Sequence, residues 1–121
     1  SELNQVWTNL IDNAADAIAQ RRASEEDPAV GRIRISASSH GDGVAVEVTD
    51  NGPGIPDRIV DRIFDSFFTT KEPGRGTGLG LDISYRIVVV GHGGDLSVDS
   101  EPGRTTFRVE LPARTRARSR R

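Results

Sequence analysis

Glycine stands at every second position through Gly74-Arg75-Gly76-Thr77-Gly78-Leu79-Gly80-Leu81, immediately before and into a segment of helical periodicity. Backbone amides in such a run are free to point at an anion, and the helix N-terminus that follows adds roughly half a positive charge. Phosphate is the natural ligand. The run is not a P-loop, because no Gly-Lys-Ser/Thr follows. It is not the dinucleotide fingerprint either, because G-x-G-x-x-G is absent and a loop rather than a strand precedes it. Taken by itself, the segment also reads as a flexible linker. The residues before it, Thr69 to Gly76, have no periodicity and include Pro73, which predicts a mobile loop. Thr77 is a plausible N-cap for a helix reaching about Val90, where Gly91-His92-Gly93-Gly94 ends it.

The rest of the chain sets the frame for this feature. Its 121 residues fit one domain. Hydrophobic residues at 35% and charged residues at 28% suit a globular fold, and no apolar run approaches the roughly 20 residues that span a bilayer. No signal peptide is read at the start. Cysteine is absent, which excludes disulfides, thiolate zinc sites and cysteine nucleophiles, and two histidines, His40 and His92, make a multi-histidine metal site a poor fit. The net charge of −2 hides an asymmetry: Arg114, Arg116, Arg118, Arg120 and Arg121 crowd the last eight positions. Without them the body has 11 basic against 18 acidic residues, about −7, which argues against a nucleic-acid-binding face. Residues 1–112 are therefore expected to form the domain and 113–121 a disordered arginine-rich tail.

Residues 2 to 20 read as a helix, since Leu3, Val6, Leu10, Ile11, Ala14, Ala17 and Ile18 recur at three- and four-residue spacing. Gln5, Asn9, Asn13, Asp16 and Gln20 form a second, polar stripe beside the first. An ordinary solvated face would look like this, but asparagine is a poor helix former, and two of them one turn apart hint at a task. Ser24 to Pro28 reads as a loop. Arg32 to Ser38 and Val44 to Asp50 alternate with period two around His40-Gly41-Asp42-Gly43, a β-hairpin pattern. Asp50 falls on the side of Val44, Val46 and Val48, so it is either a turn-forming residue or a buried acceptor awaiting a donor. After Asn51-Gly52-Pro53-Gly54-Ile55-Pro56, a short helix is expected over about Asp57 to Phe67. Two strands, Asp95 to Ser100 and Arg104 to Leu111, close the domain across Glu101-Pro102-Gly103.

These pieces resemble the ATP-binding catalytic domain of sensor histidine kinases, in the Bergerat-fold superfamily that includes DNA gyrase, MutL and the large heat-shock chaperones. Asn9-Leu10-Ile11-Asp12-Asn13-Ala14 is similar to its N box and Asp50-x-Gly52-x-Gly54 to its first glycine box. Ile63 to Lys71 is similar to its F box, Gly74 to Leu81 to its second glycine box, and Thr105-Thr106-Phe107 to its last box. The resemblance implies an α+β, two-layer sandwich: a mixed, mostly antiparallel sheet covered on one face by about three helices. It implies ATP and Mg²⁺ as ligands, with Asn13 on the metal through its side-chain oxygen and Asn9 holding a water or phosphate. Asp50 would accept the exocyclic amino group of adenine, with Gly52, Gly54, Ile55 and Thr105 around the base. Gly76, Thr77, Gly78, Leu79 and Gly80 would cradle the phosphates, and Thr69 to Arg75 would be a lid bringing Lys71 and Arg75 to them.

Two departures qualify the match. The family often has a basic residue three positions after the magnesium-binding Asn, where this chain has Asp16, so neutralisation falls on Mg²⁺ and on Lys71 or Arg75. Ser1 also enters directly at the first helix, where the family has a short strand and, earlier, a dimerisation domain bearing the phosphoacceptor histidine. The chain thus resembles a domain of a longer kinase. The expected partners are that histidine-bearing domain and, downstream, a response regulator, with no nucleic acid, no membrane contact by this domain and a cytoplasmic location. His92 reads as a turn residue and His40 as a surface residue of the hairpin. Two rival functions remain: a gyrase- or MutL-like ATPase, and an anti-sigma-type regulatory ATP-binding module. Such ATPases place a Glu one helical turn before the magnesium-binding Asn, whereas Asn9 has no basicity with which to activate water.

Overall fold

The computed structural model describes residues 2–24, 30–65 and 80–113. A long helix, α1 (Glu2–Ser24), leads into a hairpin of β1 (Ile33–His40) and β2 (Gly43–Asp50). A single helical turn, α2 (Asp57–Val60), follows. Then α3 (Gly80–Tyr85) runs into a π-helical segment, Arg86–Gly91, and the second hairpin, β3 (Asp95–Glu101) with β4 (Arg104–Leu111), ends the fold. The sheet order is β1-β2-β4-β3, and every pairing among the described residues is antiparallel. The two-layer α+β architecture is therefore as expected, with the sheet wholly antiparallel where it is described.

Alternation along the strands decides which face is covered. On β4, Thr105, Phe107 and Val109 are buried, while Thr106, Arg108 and Glu110 turn to the other side. The helical layer supplies Val6, Leu10 and Ala14 from α1 and Ile87 and Val88 from the π segment, and these meet Val48, Leu96, Phe107 and Val109 of the sheet. The opposite face is held by charge. Arg108 donates to Glu47 at 2.9 Å and to Glu110 at 2.8 Å, and Thr49 meets Thr106 at 2.8 Å. Strand β1 is exposed along its whole length because α1 lies over β2 rather than over the edge.

Several boundaries differ from those read in the sequence: β1 runs to His40 and β2 starts at Gly43, so only Gly41-Asp42 form the turn, and β3 extends to Glu101. Helix α1 continues past Gln20 to Ser24, with Arg21 and Arg22 in a last turn whose carbonyl dipoles favour cations. Helix α2 stops at Val60 instead of about Phe67; turns replace it, with Arg62 N–H donating to Ile59 O at 2.9 Å and Asp65 N–H to Arg62 O at 3.0 Å. They still bury Ile63. Past α3 the helix widens, because Arg86–Gly91 is π-helical, and this brings the adjacent residues Ile87 and Val88 both into the core. Its end is capped by His92, whose Nδ1 lies 3.0 Å from Ile87 O. A carbonyl only accepts, so Nδ1 carries the proton, and His92 is the turn residue expected. The start of this helix at Thr77, residues Ser66 and Phe67 of the second helix and the tail from Arg114 lie outside the described residues.

Phe107 is 1% exposed and meets the Phe64 ring edge-on, with centroids 6.2 Å apart. Phe107→Leu should therefore lower the unfolding free energy by about 1 to 2 kcal/mol, combining the lost ring pair with imperfect refilling of the space. Urea denaturation of the two proteins measures the difference.

Candidate functional site

One face of α1 organises the site. Asn9, Asn13 and Ala17 follow one another at four-residue spacing and so stack along the helix. At one end, Asn9 Nδ2 donates to Gly80 O at 3.3 Å and to Ser84 Oγ at 3.2 Å, fastening α1 to the start of α3. At the other, Ala17 touches the loop after β2: a Cβ added to Gly52 would lie 2.8 Å from Ala17 Cβ and 2.9 Å from Asp50 Oδ1. Only glycine fits there. Half-buried Asn13 lies midway, so this single face spans about 12 Å from the Asp50 loop to the glycine-rich segment.

Asp50 closes the inward row of β2 and is 2% exposed. Its Oδ1 accepts from Gly52 N–H at 2.8 Å. Burial pushes the carboxyl above its ordinary value of 3.8, and the Gly52 amide opposes that shift without cancelling it. A buried carboxylate met among the described residues by one neutral amide is short of donors there, which is the condition for accepting another from a ligand. Its Cα partner on β4 is Thr105, 3% exposed, on the same face of the sheet.

The loop beyond Asp50 is fixed from three sides. Asn51 Oδ1 accepts from Arg32 N–H at 2.8 Å while its Nδ2 donates to Val30 O at 2.8 Å, closing the open end of the hairpin. Arg21 Nη1 reaches Asn51 O at 2.8 Å from the last turn of α1, which is why that turn persists without apolar periodicity. The β3–β4 turn supports the third side: Gly103 N–H donates to Pro53 O at 3.2 Å and Ile55 N–H to Ser100 Oγ at 2.8 Å. Gly54, at φ 88°, passes so close to Glu101 O that a side chain would collide with the carbonyl.

The structure thus brings together Asn9, Asn13, Asp50, Gly52, Gly54, Ile55, Gly80 and Thr105 around one helix face and the adjoining sheet end. Lys71, Arg75, Gly76, Thr77, Gly78 and Leu79, and with them the expected lid, lie outside the described residues. Sequence reasoning missed Arg21, Ser100 and the side chain of Asn51. None carries a periodic or spacing signal; each is recognised only by the loop it holds. It also missed Asp82, whose Oδ1 is buried without a hydrogen-bond partner among the described residues. Among those residues no three His, Asp or Glu side chains gather into a metal cluster. An apolar groove bounded by Ala15, Ile18, Ala19, Arg22, Gly31 and Ile33 opens on another face of α1 and shares no residue with this site.

Comparison with known proteins gives a consistent picture. Residues 1–115 match the family described as histidine kinase-, DNA gyrase B-, and HSP90-like ATPase. The sensory histidine kinase/phosphatase NtrB of Rhizobium meliloti is 40% identical over 120 residues, covering 93% of this chain and 30% of that protein. The sensor histidine kinase ZraS of Escherichia coli is 43% identical over 111 residues, covering 91% of this chain and 21% of that protein. The chain therefore spans less than a third of the length of these relatives. Among solved structures, the catalytic domain of the histidine kinase ThkA superposes with a TM-score of 0.76 at 34% identity, covering 93% of this chain and 66% of that one. Full-length ShkA in complex with AMPPNP gives a TM-score of 0.75 at 30% identity, over 94% of this chain and 22% of that one.

Proposed function

The chain belongs to the histidine kinase-, DNA gyrase B- and HSP90-like ATPase family, and from that premise we propose that it delivers the γ-phosphoryl group of Mg-ATP to a histidine on a separate dimerisation domain. In this reading it is the ATP-binding catalytic domain of a two-component sensor kinase, with the parent's histidine-bearing domain and a response regulator as partners and the cytoplasm as its location. No described helix is long and apolar enough to cross a membrane.

The observation that carries the reading is Asp50: a buried, donor-poor carboxylate beside Thr105, at the end of a helix face that leads through Asn13 to the glycine-rich segment. Asp50 accepts the adenine amino group, and the fixed loop of Gly52, Gly54 and Ile55 shapes the wall against the ring. Asn13 offers a hard oxygen donor that would hold Mg²⁺. Such an ion would supply charge neutralisation and orientation of the phosphate chain. Asn9 shares its amide nitrogen between Gly80 and Ser84, which fixes where the glycine-rich segment ends and α3 starts. Gly76 to Gly80 then give backbone amides to the phosphates, and Lys71 or Arg75 adds the positive charge that Asp16 cannot. Residues 113–121 take no part.

Asn9 also favours transfer over hydrolysis. A carboxamide whose nitrogen is already hydrogen bonded to α3 cannot serve as a base for water. Phosphoryl transfer needs positioned phosphates, a metal and an in-line nucleophile, and this reading assigns residues of the chain to the first two only. The isolated chain should accordingly bind Mg-ATP in a calorimetric titration yet turn it over only slowly. Adding the parent's histidine-bearing domain should yield an acid-labile phosphoryl product. Fast hydrolysis by the isolated chain would instead favour an ATPase of the gyrase type.

A further inference from the structure

Ser100 joins β3, β4 and the Asp50 loop at a single hydroxyl. Its Oγ accepts from Ile55 N–H at 2.8 Å, lies 2.9 Å from Thr105 Oγ1, and donates to Arg104 O at 3.3 Å. A serine hydroxyl has one proton and two lone pairs. The backbone partners fix two of these three valences, because Ile55 N–H can only donate and Arg104 O can only accept. The remaining lone pair takes the Thr105 proton. In this arrangement all three contacts are made at once, and Ser100 has nothing left for a ligand.

The consequence falls on Thr105. With its proton held by Ser100, its hydroxyl turns only lone pairs outward from the inner face it shares with Asp50, itself an acceptor. The two side chains that share this face, Asp50 and Thr105, then offer a ligand acceptors only. We propose that Ser100 is a specificity-determining residue that acts through Thr105: by keeping the Thr105 proton out of the base pocket, it admits a purine carrying an amino group at C6 and rejects one carrying a carbonyl there. This rests on the reading of Asp50 as the base acceptor. It differs from that reading in assigning part of the selectivity to a side chain that never touches the nucleotide.

The two ideas separate in a binding experiment with ATP and ITP, which differ at C6 by an amino group against a carbonyl. Affinities would be measured by calorimetry for the wild-type chain, Ser100→Ala, Ser100→Thr and Thr105→Val. Wild type should prefer ATP. Ser100→Ala releases the Thr105 proton toward the C6 carbonyl, so ITP should bind several-fold more tightly while ATP weakens, and the ATP-to-ITP ratio should fall about tenfold. Ser100→Thr keeps the hydroxyl and should restore the ratio; Thr105→Val has no proton to release and should not improve ITP binding. Should Ser100→Ala fail to fold, Ser100→Cys, a near-isosteric and weak acceptor, should lower the ratio in the same direction. A variant that weakens both nucleotides equally, or leaves the ratio unchanged, would show a merely structural role and overturn the proposal. Wild type without a preference for ATP would overturn the Asp50 reading itself, whereas a normal wild-type preference untouched at Ser100 would overturn this inference alone.

Discussion

Asn13→Ala should leave a folded chain that no longer supports phosphoryl transfer, with the rate to the histidine-bearing domain reduced by at least about a hundredfold. Asn13 is half-buried on α1, between Asn9 on the α3 side and Ala17 on the Asp50 side. If Asn13 is the metal donor proposed above, removing its carboxamide removes that donor and leaves the base site intact. Alanine is also the better helix former, by about 0.5 kcal/mol, so the thermal midpoint should hold steady or rise slightly. That combination separates a lost ligand from a damaged fold. Titrating Mg²⁺ at fixed ATP sharpens the test: in chelator, wild type and variant should bind ATP alike, and the gain on adding Mg²⁺ should appear only in wild type. A variant that keeps the full magnesium-dependent gain would move the metal donor elsewhere.

The features legible in the sequence are those encoded by repetition. Period-two alternation located the four described strands, of which β2, β3 and β4 bury one face while β1 is exposed throughout, and the stripe of Val6, Leu10 and Ala14 located α1. The inward position of Asp50 followed from the same alternation. Features set by a single tertiary contact were not legible. The last turn of α1 is tied to the Asp50 loop by the hydrogen bond from Arg21 to Asn51 O, and nothing in the local pattern announces it. The π-helical segment was hidden because Ile87, Val88, Val89 and Val90 are all apolar, so no periodicity shows how the turn is wound. Val90, 78% exposed, demonstrates that an apolar residue in such a run need not face the core. Ser100 reads as an ordinary strand residue until the loop folding back over it places Ile55 against its hydroxyl.

Asp50→Asn sets binding and stability against each other. The amide oxygen of asparagine can still accept from Gly52 N–H, which turns its NH₂ toward the base and sets donor against donor where adenine presents its amino group. ATP affinity should fall about ten- to a hundredfold, the range expected for losing a charge-assisted hydrogen bond. Stability should move the other way. Burial raises the Asp50 carboxyl above its ordinary value of 3.8, so the folded state holds that proton more tightly than the unfolded chain. Above that range the wild type must keep an ionised carboxylate in a place that disfavours it, and it loses stability relative to a neutral side chain. At neutral pH the variant without nucleotide should therefore be more stable, by about 0.5 to 2 kcal/mol, as found when a functional group is replaced by one its site tolerates better. As pH falls through the raised pKa of Asp50, wild type recovers the difference. Below about 3.8, with the carboxyl protonated in both folded and unfolded chains, the pH-dependent part of the gain should be gone. Urea denaturation at a series of pH values, beside calorimetry with ATP at neutral pH, tests both halves. A variant weakened in binding and equally destabilised at neutral pH would mean that Asp50 serves the loop and not the ligand.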